Sequence, residues 1–244
     1  MSGADREGPL RPELVTERWQ ALRGRIEASG RDPDTVTVIA VTKGFGPDVV
    51  AAVLAAGITD IGENYADELL AKASGLGAAT TPADVDVGGG GPDAGPRPRW
   101  QFLGAVQRRK IRDLAAVVSC WQTVARLEEG TAIAARAPGA EVFVQVDVSG
   151  LPGRNGVAPT GVTELVGALR TLDLRVRGLM VVAPPGPADT ARRAFATVRE
   201  LAHRNGLQEL SMGMSGDLEA ALAEGTTMVR VGRSLFGERP PRSR

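Results

Sequence analysis

Lys43 closes "VTVIAVTKGF", a run of β-branched and apolar residues with the composition of a buried strand. An ammonium is costly to bury unless it is paired or gives up its proton. Either the strand has ended and Lys43 simply reaches water, or the amine is desolvated, its pKa lowered and its lone pair freed for nucleophilic chemistry. Two later segments bear on that choice. In "SMGMSGD" a strand-like run delivers Ser215 and a glycine into a turn that opens a helix, and in "VRVGRSLFG" Gly232 and Arg233 begin another. Backbone amides at a helix start, close approach through glycine and a hydroxyl donor make a cradle for phosphate. Taken alone, Gly232 is as well explained by a tight turn. Arg230 lies two residues before Gly232, so on a strand it faces the same side; taken alone, it is better explained by a salt bridge. No Walker or G-x-G-x-x-G pattern follows the first strand, so a nucleotide site has no specific support.

Positioning these groups requires a scaffold, and the 244-residue chain alternates between two periods. Strand-like runs are "VTVIAVT", "ITDIGE", "RWQFLG", "AVVSCW", "EVFVQVDV", "RVRGLMVV", "LQELSMGM" and "MVRVG". Helical patterns such as "PDVVAAVLAAG", "VQRRKIRDLA", "TELVGALRTLD" and "DTARRAFATVRELAHRNG" lie between them. A further helix precedes the first strand, with Leu14, Val15, Trp19, Leu22 and Ile26 on one face and Gly30 as its stop. Apolar strands alternating with helices predict a parallel sheet covered on both sides. Eight units in a chain of this length predict a single α/β domain over 1–244, a (β/α)8 TIM barrel with an extra N-terminal helix. An open doubly wound sheet is the alternative, because alternation alone does not establish closure. Residues 74–99, rich in Gly, Pro, Ala and Asp and without either period, are predicted to be a disordered insertion. In a barrel the strand C-termini carry the site, so Lys43, the "GENY" segment, Ser215 and Gly232 converge on one face.

Bulk properties exclude several functions. Twenty-nine basic residues balance twenty-nine acidic ones, which gives no electrostatic reason to expect nucleic acid or an anionic membrane as partner. One cysteine, Cys120, excludes an internal disulfide and fits a reducing compartment. The N-terminus lacks a signal-peptide core and no segment approaches membrane-span length, so a cytoplasmic protein is expected.

A lysine beside a phosphate cradle is the arrangement that holds pyridoxal 5'-phosphate as an imine. "IAVTKGF", "IGENYADEL", "WQFLGAVQRRK", "VQVDVSGLPGRNGV", "RGLMVVAPP" and "LSMGMSGDLEAALAEGTTMVRVGRSLFG" occur in the order and spacing of the pyridoxal phosphate homeostasis proteins. The chain resembles that family from about residue 14 to residue 239. The resemblance implies a barrel like the N-terminal domain of alanine racemase, with pyridoxal phosphate as cofactor bound as a Schiff base. It implies that Lys43 is the imine-forming lysine, that Ser215, Gly232 and Arg233 contact the phosphate, the last two through their amides, and that Arg230 faces the pyridine nitrogen. Asn64 and Met214 match positions lining the ring. The chain departs from the family pattern at Gln101, where Trp-His-Phe is usual, and at Arg109, where Gln-x-Asn-Lys is usual. The fourth strand ends in "SCWQ" instead of a serine followed soon by aspartate.

A pyridoxal phosphate enzyme also needs an acid and a base. The one histidine, His203, falls inside a helical pattern, and the one tyrosine, Tyr65, follows Asn64. An arginine at the ring nitrogen keeps it unprotonated, which weakens the ring as an electron sink. The expectation is therefore a monomeric carrier in intracellular pyridoxal phosphate homeostasis, without robust catalysis, with pyridoxal phosphate-dependent apoenzymes as candidate recipients. An amino-acid racemase or lyase dependent on the cofactor is the alternative. A third reading, a partner- or nucleic-acid-binding patch at "RRKIR" (Arg108 to Arg112), competes with a simple solvated helix face.

Overall fold

The computed structural model describes residues 11–76 and 96–238. Among them eight parallel strands close into a barrel in sequence order. The strands are β1 (Thr37–Val41), β2 (Asp60–Glu63), β3 (Arg99–Phe102), β4 (Val118–Val124), β5 (Ala140–Val146), β6 (Leu174–Val181), β7 (Glu209–Ser211) and β8 (Met228–Val231). Pairing of β1 with β8, Ile39 opposite Arg230, closes the ring and removes the open-sheet alternative. The helices are α1 (Pro12–Ala28), α2 (Asp48–Ala55), α3 (Ala66–Ser74), α4 (Arg108–Leu114), α5 (Leu127–Ala134), α6 (Val162–Arg170), α7 (Ala188–Arg204), α8 (Leu218–Ala223) and α9 (Arg233–Phe236). Helix α1 is the extra N-terminal element. Pro12 suits its first turn, Val15, Leu22 and Ile26 are buried on one side, and it packs on α2 and α9.

The period-2 alternation of the strands sorts the core into two layers. In β1, Val38 and Ala40 point out into the layer under the helices, whereas Ile39 belongs to a separate inner cluster with Leu103, Cys120, Phe143, Met180 and Met228. That inner set fills the barrel lumen. Glycine at 62 follows from the filling: a Cβ there would lie 2.6 Å from Leu103 and 2.7 Å from Ile39. Polar side chains occupy the lumen toward the N-terminal ends of the strands. Gln101 Nε2 donates to Asp60 Oδ1 at 2.6 Å and Gln122 Nε2 to Gln101 Oε1 at 2.9 Å. Arg177 bridges Glu209 and Glu141 below them. The seam between β7 and β8 is short, a single register pair, and the Thr226 hydroxyl, within reach of the carbonyls of Leu210, Met212 and Met228, supports it.

Three local expectations need correction. The apolar run "AVVSCW" is not all strand: residues 115–117 form the turn that ends α4, and β4 runs on to Val124, which pairs with Val144 of β5, with Thr123 and Val124 both buried. The ladder of β1 ends at Val41, two residues before Lys43, although the Thr42 amide still bonds Gly62 O at 3.0 Å. The predicted insertion 74–99 has ordered ends, since Ser74 closes α3 and Arg99 opens β3; its residues 77–95 lie outside the described ones. No helix among the described residues is long and apolar enough to cross a membrane.

Candidate functional site

At the C-terminal ends of the strands, β1, β2, β7 and β8 bring most of the singled-out residues to one rim. Lys43 stands in the turn that follows β1, two residues past Val41, and is half-buried. Asn64 follows Gly62 and Glu63 at the end of β2 and is half-buried too. Its carbonyl is the close neighbour that requires glycine at 104, where a Cβ would sit 2.0 Å from Asn64 O.

Arg230, 5% exposed, shares the phase of Met228 and so projects into the lumen beside β1. Its Nη1 donates to Ser211 O at 2.6 Å and Ser211 Oγ at 2.8 Å, and Nη2 donates to Val181 O at 2.6 Å. Those bonds use three of the five guanidinium N–H groups, which leaves donor capacity for a further acceptor. Burial pushes its pKa down to about 10, with Asp217 acting against the shift, so it remains protonated near neutral pH.

Ser215 lies in the turn after β7. Gly213, at φ +97°, starts that turn, in a conformation that disfavours a side chain. Ser215 Oγ accepts the Ser234 amide at 3.1 Å, which ties this turn to the start of α9. Gly232 and Arg233 stand where that short helix begins, and helix-opening amides have no acceptor within their own helix. Gly232 has φ −122°, open to any residue; its requirement is proximity, since a Cβ would sit 3.1 Å from Val41 O. The Phe45 and Phe236 rings, 5.1 Å apart, bind the loop after β1 to α9. Lys43, Arg230, Ser215 and Gly232 thus occupy adjoining segments. The Arg233 side chain turns to solvent near Glu238, 3.6 Å away, and only its backbone can join the group. Met214 stands at the edge, 37% exposed.

Residues at the departures fall elsewhere. Gln101 belongs to the lumen network described above, toward the opposite end from Lys43. Arg109 is exposed on α4 and bonds Gln107 at 3.3 Å. In the "RRKIR" segment Lys110 pairs with Asp67 at 2.6 Å and Arg112 with Asp113 at 3.3 Å, as on a solvated helix face. His203 sits at the end of α7 that leads into β7, the far end of the barrel from the rim.

Sequence reasoning passed over the most deeply buried charges. Lys72, 3% exposed on α3, holds Glu63 Oε2 at 2.6 Å and Thr42 O at 2.8 Å, directly beneath the Lys43 loop. One signal was available: only three of the basic residues are lysines, Lys43, Lys72 and Lys110, and Lys72 falls on the apolar side of its helix beside Leu69 and Ala73. The Gln145–Asn155 pair was also unread; Gln145 Oε1 accepts Asn155 Nδ2 at 2.8 Å and folds the loop after β5 back on the barrel.

Known proteins with this pattern fit the geometry. The family model for the alanine racemase N-terminal domain matches residues 3–240. The pyridoxal phosphate homeostasis protein of Pseudomonas aeruginosa is 38% identical over 235 residues, 93% of this chain and 95% of that protein. Its counterpart in Escherichia coli K12 is 31% identical over 242 residues, 92% and 97% of the two chains. The solved structure of PipY of Synechococcus elongatus with PLP bound superposes with a TM-score of 0.74 at 30% identity, covering 91% of this chain and 100% of that one. By these matches the chain belongs to the pyridoxal phosphate homeostasis proteins, within the family of the alanine racemase N-terminal domain.

Proposed function

We propose that this chain binds pyridoxal 5'-phosphate through Lys43 and works in intracellular homeostasis of that cofactor, holding and releasing it without turning over a substrate. The observation that carries the reading is the convergence of Lys43, the buried Arg230 and the linked Ser215 and Gly232 turns at one rim. Pyridoxal phosphate supplies an aldehyde for an amine, a basic ring nitrogen and a dianionic phosphate. The residues fit those three groups. Lys43 offers the amine. Arg230 offers unused donors to the ring nitrogen and, being protonated itself, does not protonate it. Ser215 and the amides of Gly232 and Arg233 offer neutral donors to the phosphate, and Asn64 and Met214 flank the ring.

Lys72 is no rival for the amine role, because its Nζ is buried and engaged by Glu63 Oε2 at 2.6 Å and Thr42 O at 2.8 Å. Lys110 is tied to Asp67 on the outer face of α4. A monomer would suffice to supply these residues, and the single buried cysteine suits the cytoplasm. Apoenzymes that use the cofactor would be the recipients.

The test is the visible spectrum of the purified protein titrated with pyridoxal phosphate, followed by borohydride reduction and peptide mapping. An absorption band that is absent in Lys43→Ala, with the reduced adduct on Lys43, is expected. An adduct on Lys72 or Lys110 would overturn the site. Racemisation or transamination of an amino acid at an enzyme-like rate, lost in Lys43→Ala, would overturn the carrier role in favour of the racemase or lyase reading.

A further inference from the structure

The backbone on either side of Lys43 is tied to α3. On the N-terminal side, Thr42 O accepts from Lys72 Nζ at 2.8 Å, and the Thr42 hydroxyl donates to Glu63 Oε2 at 3.0 Å. That same carboxylate oxygen is the one Lys72 holds, and the other oxygen of Glu63 accepts the Asn64 amide at 3.0 Å. On the C-terminal side, the Gly44 amide donates to Glu68 Oε2 at 2.7 Å, and Glu68 in turn lies 3.7 Å from Lys72 Nζ. One buried ammonium thus joins a carbonyl of the Lys43 loop to two carboxylates, each of which holds a backbone amide at the rim.

Burial of an ion pair is a poor way to gain stability, because desolvation offsets most of the attraction and an apolar pair of similar volume does as well or better. An apolar pair in place of both Lys72 and Glu63 would suit this layer, since Leu69 and Ala73 beside Lys72 are buried in it. What the polar group provides that an apolar one would not is direction: it fixes the carbonyl before Lys43 and the amide after it.

We infer that Glu68 and Lys72 are positioning residues for Lys43, holding the peptide units on both sides of it so that its amine is presented at one place on the rim. The inference rests on the reading of Lys43 as the cofactor lysine. Its physical basis is that orientation set during folding is not lost again on binding. Bonds from α3 thus contribute to the order of the Lys43 loop before any cofactor binds.

The experiment uses Glu68, which is 34% exposed and outside the central Glu63–Lys72 contact, so that its variants fold. Glu68→Ala removes the anchor on Gly44, whereas Glu68→Gln keeps an oxygen there to accept the same amide. Pyridoxal phosphate is titrated into each by absorbance, with the rate of band formation followed by stopped flow and melting temperature measured alongside. Glu68→Ala is expected to weaken binding about tenfold and slow band formation, with Glu68→Gln restoring both to within about twofold of wild type and the two melting alike. Wild-type binding by Glu68→Ala would overturn the inference. So would equal losses in both variants, which would make the charge and not the hydrogen bond responsible. Absence of a Lys43 adduct in wild-type protein would instead overturn the cofactor reading on which the inference stands.

Discussion

Replacing Lys72 with methionine tests the energetics of the α3 anchor. The side chain is 3% exposed and its Glu63 partner 0% exposed, so solvent does little to screen the pair. Methionine matches the stem in length and removes only the ammonium. Glu63 would then be left in the buried layer without its counterion, with the Thr42 hydroxyl and the Asn64 amide as its remaining donors. Breaking a buried pair from one side costs about 3–5 kcal/mol, because the surviving charge has no counterion. In a chain of this size each kcal/mol moves the melting temperature by roughly 2–4 °C, so a fall of roughly 6–20 °C is expected. The double variant Glu63→Gln with Lys72→Met removes the stranded charge and is expected to recover more than half of that loss. Urea and thermal unfolding of wild type, both single variants and the double variant form the required cycle. A Lys72→Met protein within about 1 kcal/mol of wild type would refute the reasoning. Two single losses that merely add in the double variant would refute it as well.

Other outcomes follow from single side chains. Cys120 lies in the lumen at 1% exposure, and burial pushes its thiol pKa up; alkylation by iodoacetamide at pH 8 should therefore track global unfolding, and fast labelling of native protein would contradict the packing. Burial also holds the Asp60 carboxyl above its ordinary value of 3.8, against the pull of Arg99 and the Gln101 hydrogen bond. Its folded pKa then exceeds its unfolded one, so the native state binds the extra proton and stability falls as pH rises through the window above 3.8. Asp60→Asn should lack that fall, so the urea midpoint of wild type relative to the variant should drop as pH rises above about 4; a constant difference would refute the assignment. Gly213→Ala would force a side chain into φ +97° and place its Cβ 2.5 Å from the Ala221 Cβ. A stability loss of about 2–3 kcal/mol in urea unfolding is expected, together with weaker pyridoxal phosphate binding through the displaced Ser215 turn.

Most of the barrel was legible because each strand is a short apolar run bounded by a helix-length segment, as in "EVFVQVDV" and "RVRGLMVV". The boundary of β4 was not, since Ala116 and Val117 are as apolar as a strand but complete the turn leaving α4, which depends on where the Leu114 carbonyl finds its donor. The rim residues were legible from glycine and serine placed after apolar runs. The role of Gly232 as a point of close approach needed the position of Val41 O, a contact between residues nearly 200 positions apart. Glu63 and Lys72 escaped notice because charged residues on an amphipathic helix are usually solvated, and only the register of β2 turns Glu63 away from the lumen and toward α3.

That register also explains how two lysines beside one strand end come to differ. Thr42 is the last residue tied to β2, through its amide to Gly62 O, and Lys43 follows it in the turn that leaves β1. The Thr42 side meets α3, where Lys72 is held between Glu63 and Glu68. The lumen side of β1, with Ile39 and Val41, lies beside Arg230, and Val41 O closely approaches Gly232 at the start of α9. The apolar layer of Ile39, Phe143, Met180 and Met228 separates that rim from the polar floor formed by Asp60, Gln101, Glu141 and Arg177. Substitutions in the floor should therefore change stability with little effect on cofactor binding, and substitutions on the α3 side of Thr42 should change both. Within β1 this division follows strand phase, since each residue that faces the helices is followed by one that faces the lumen.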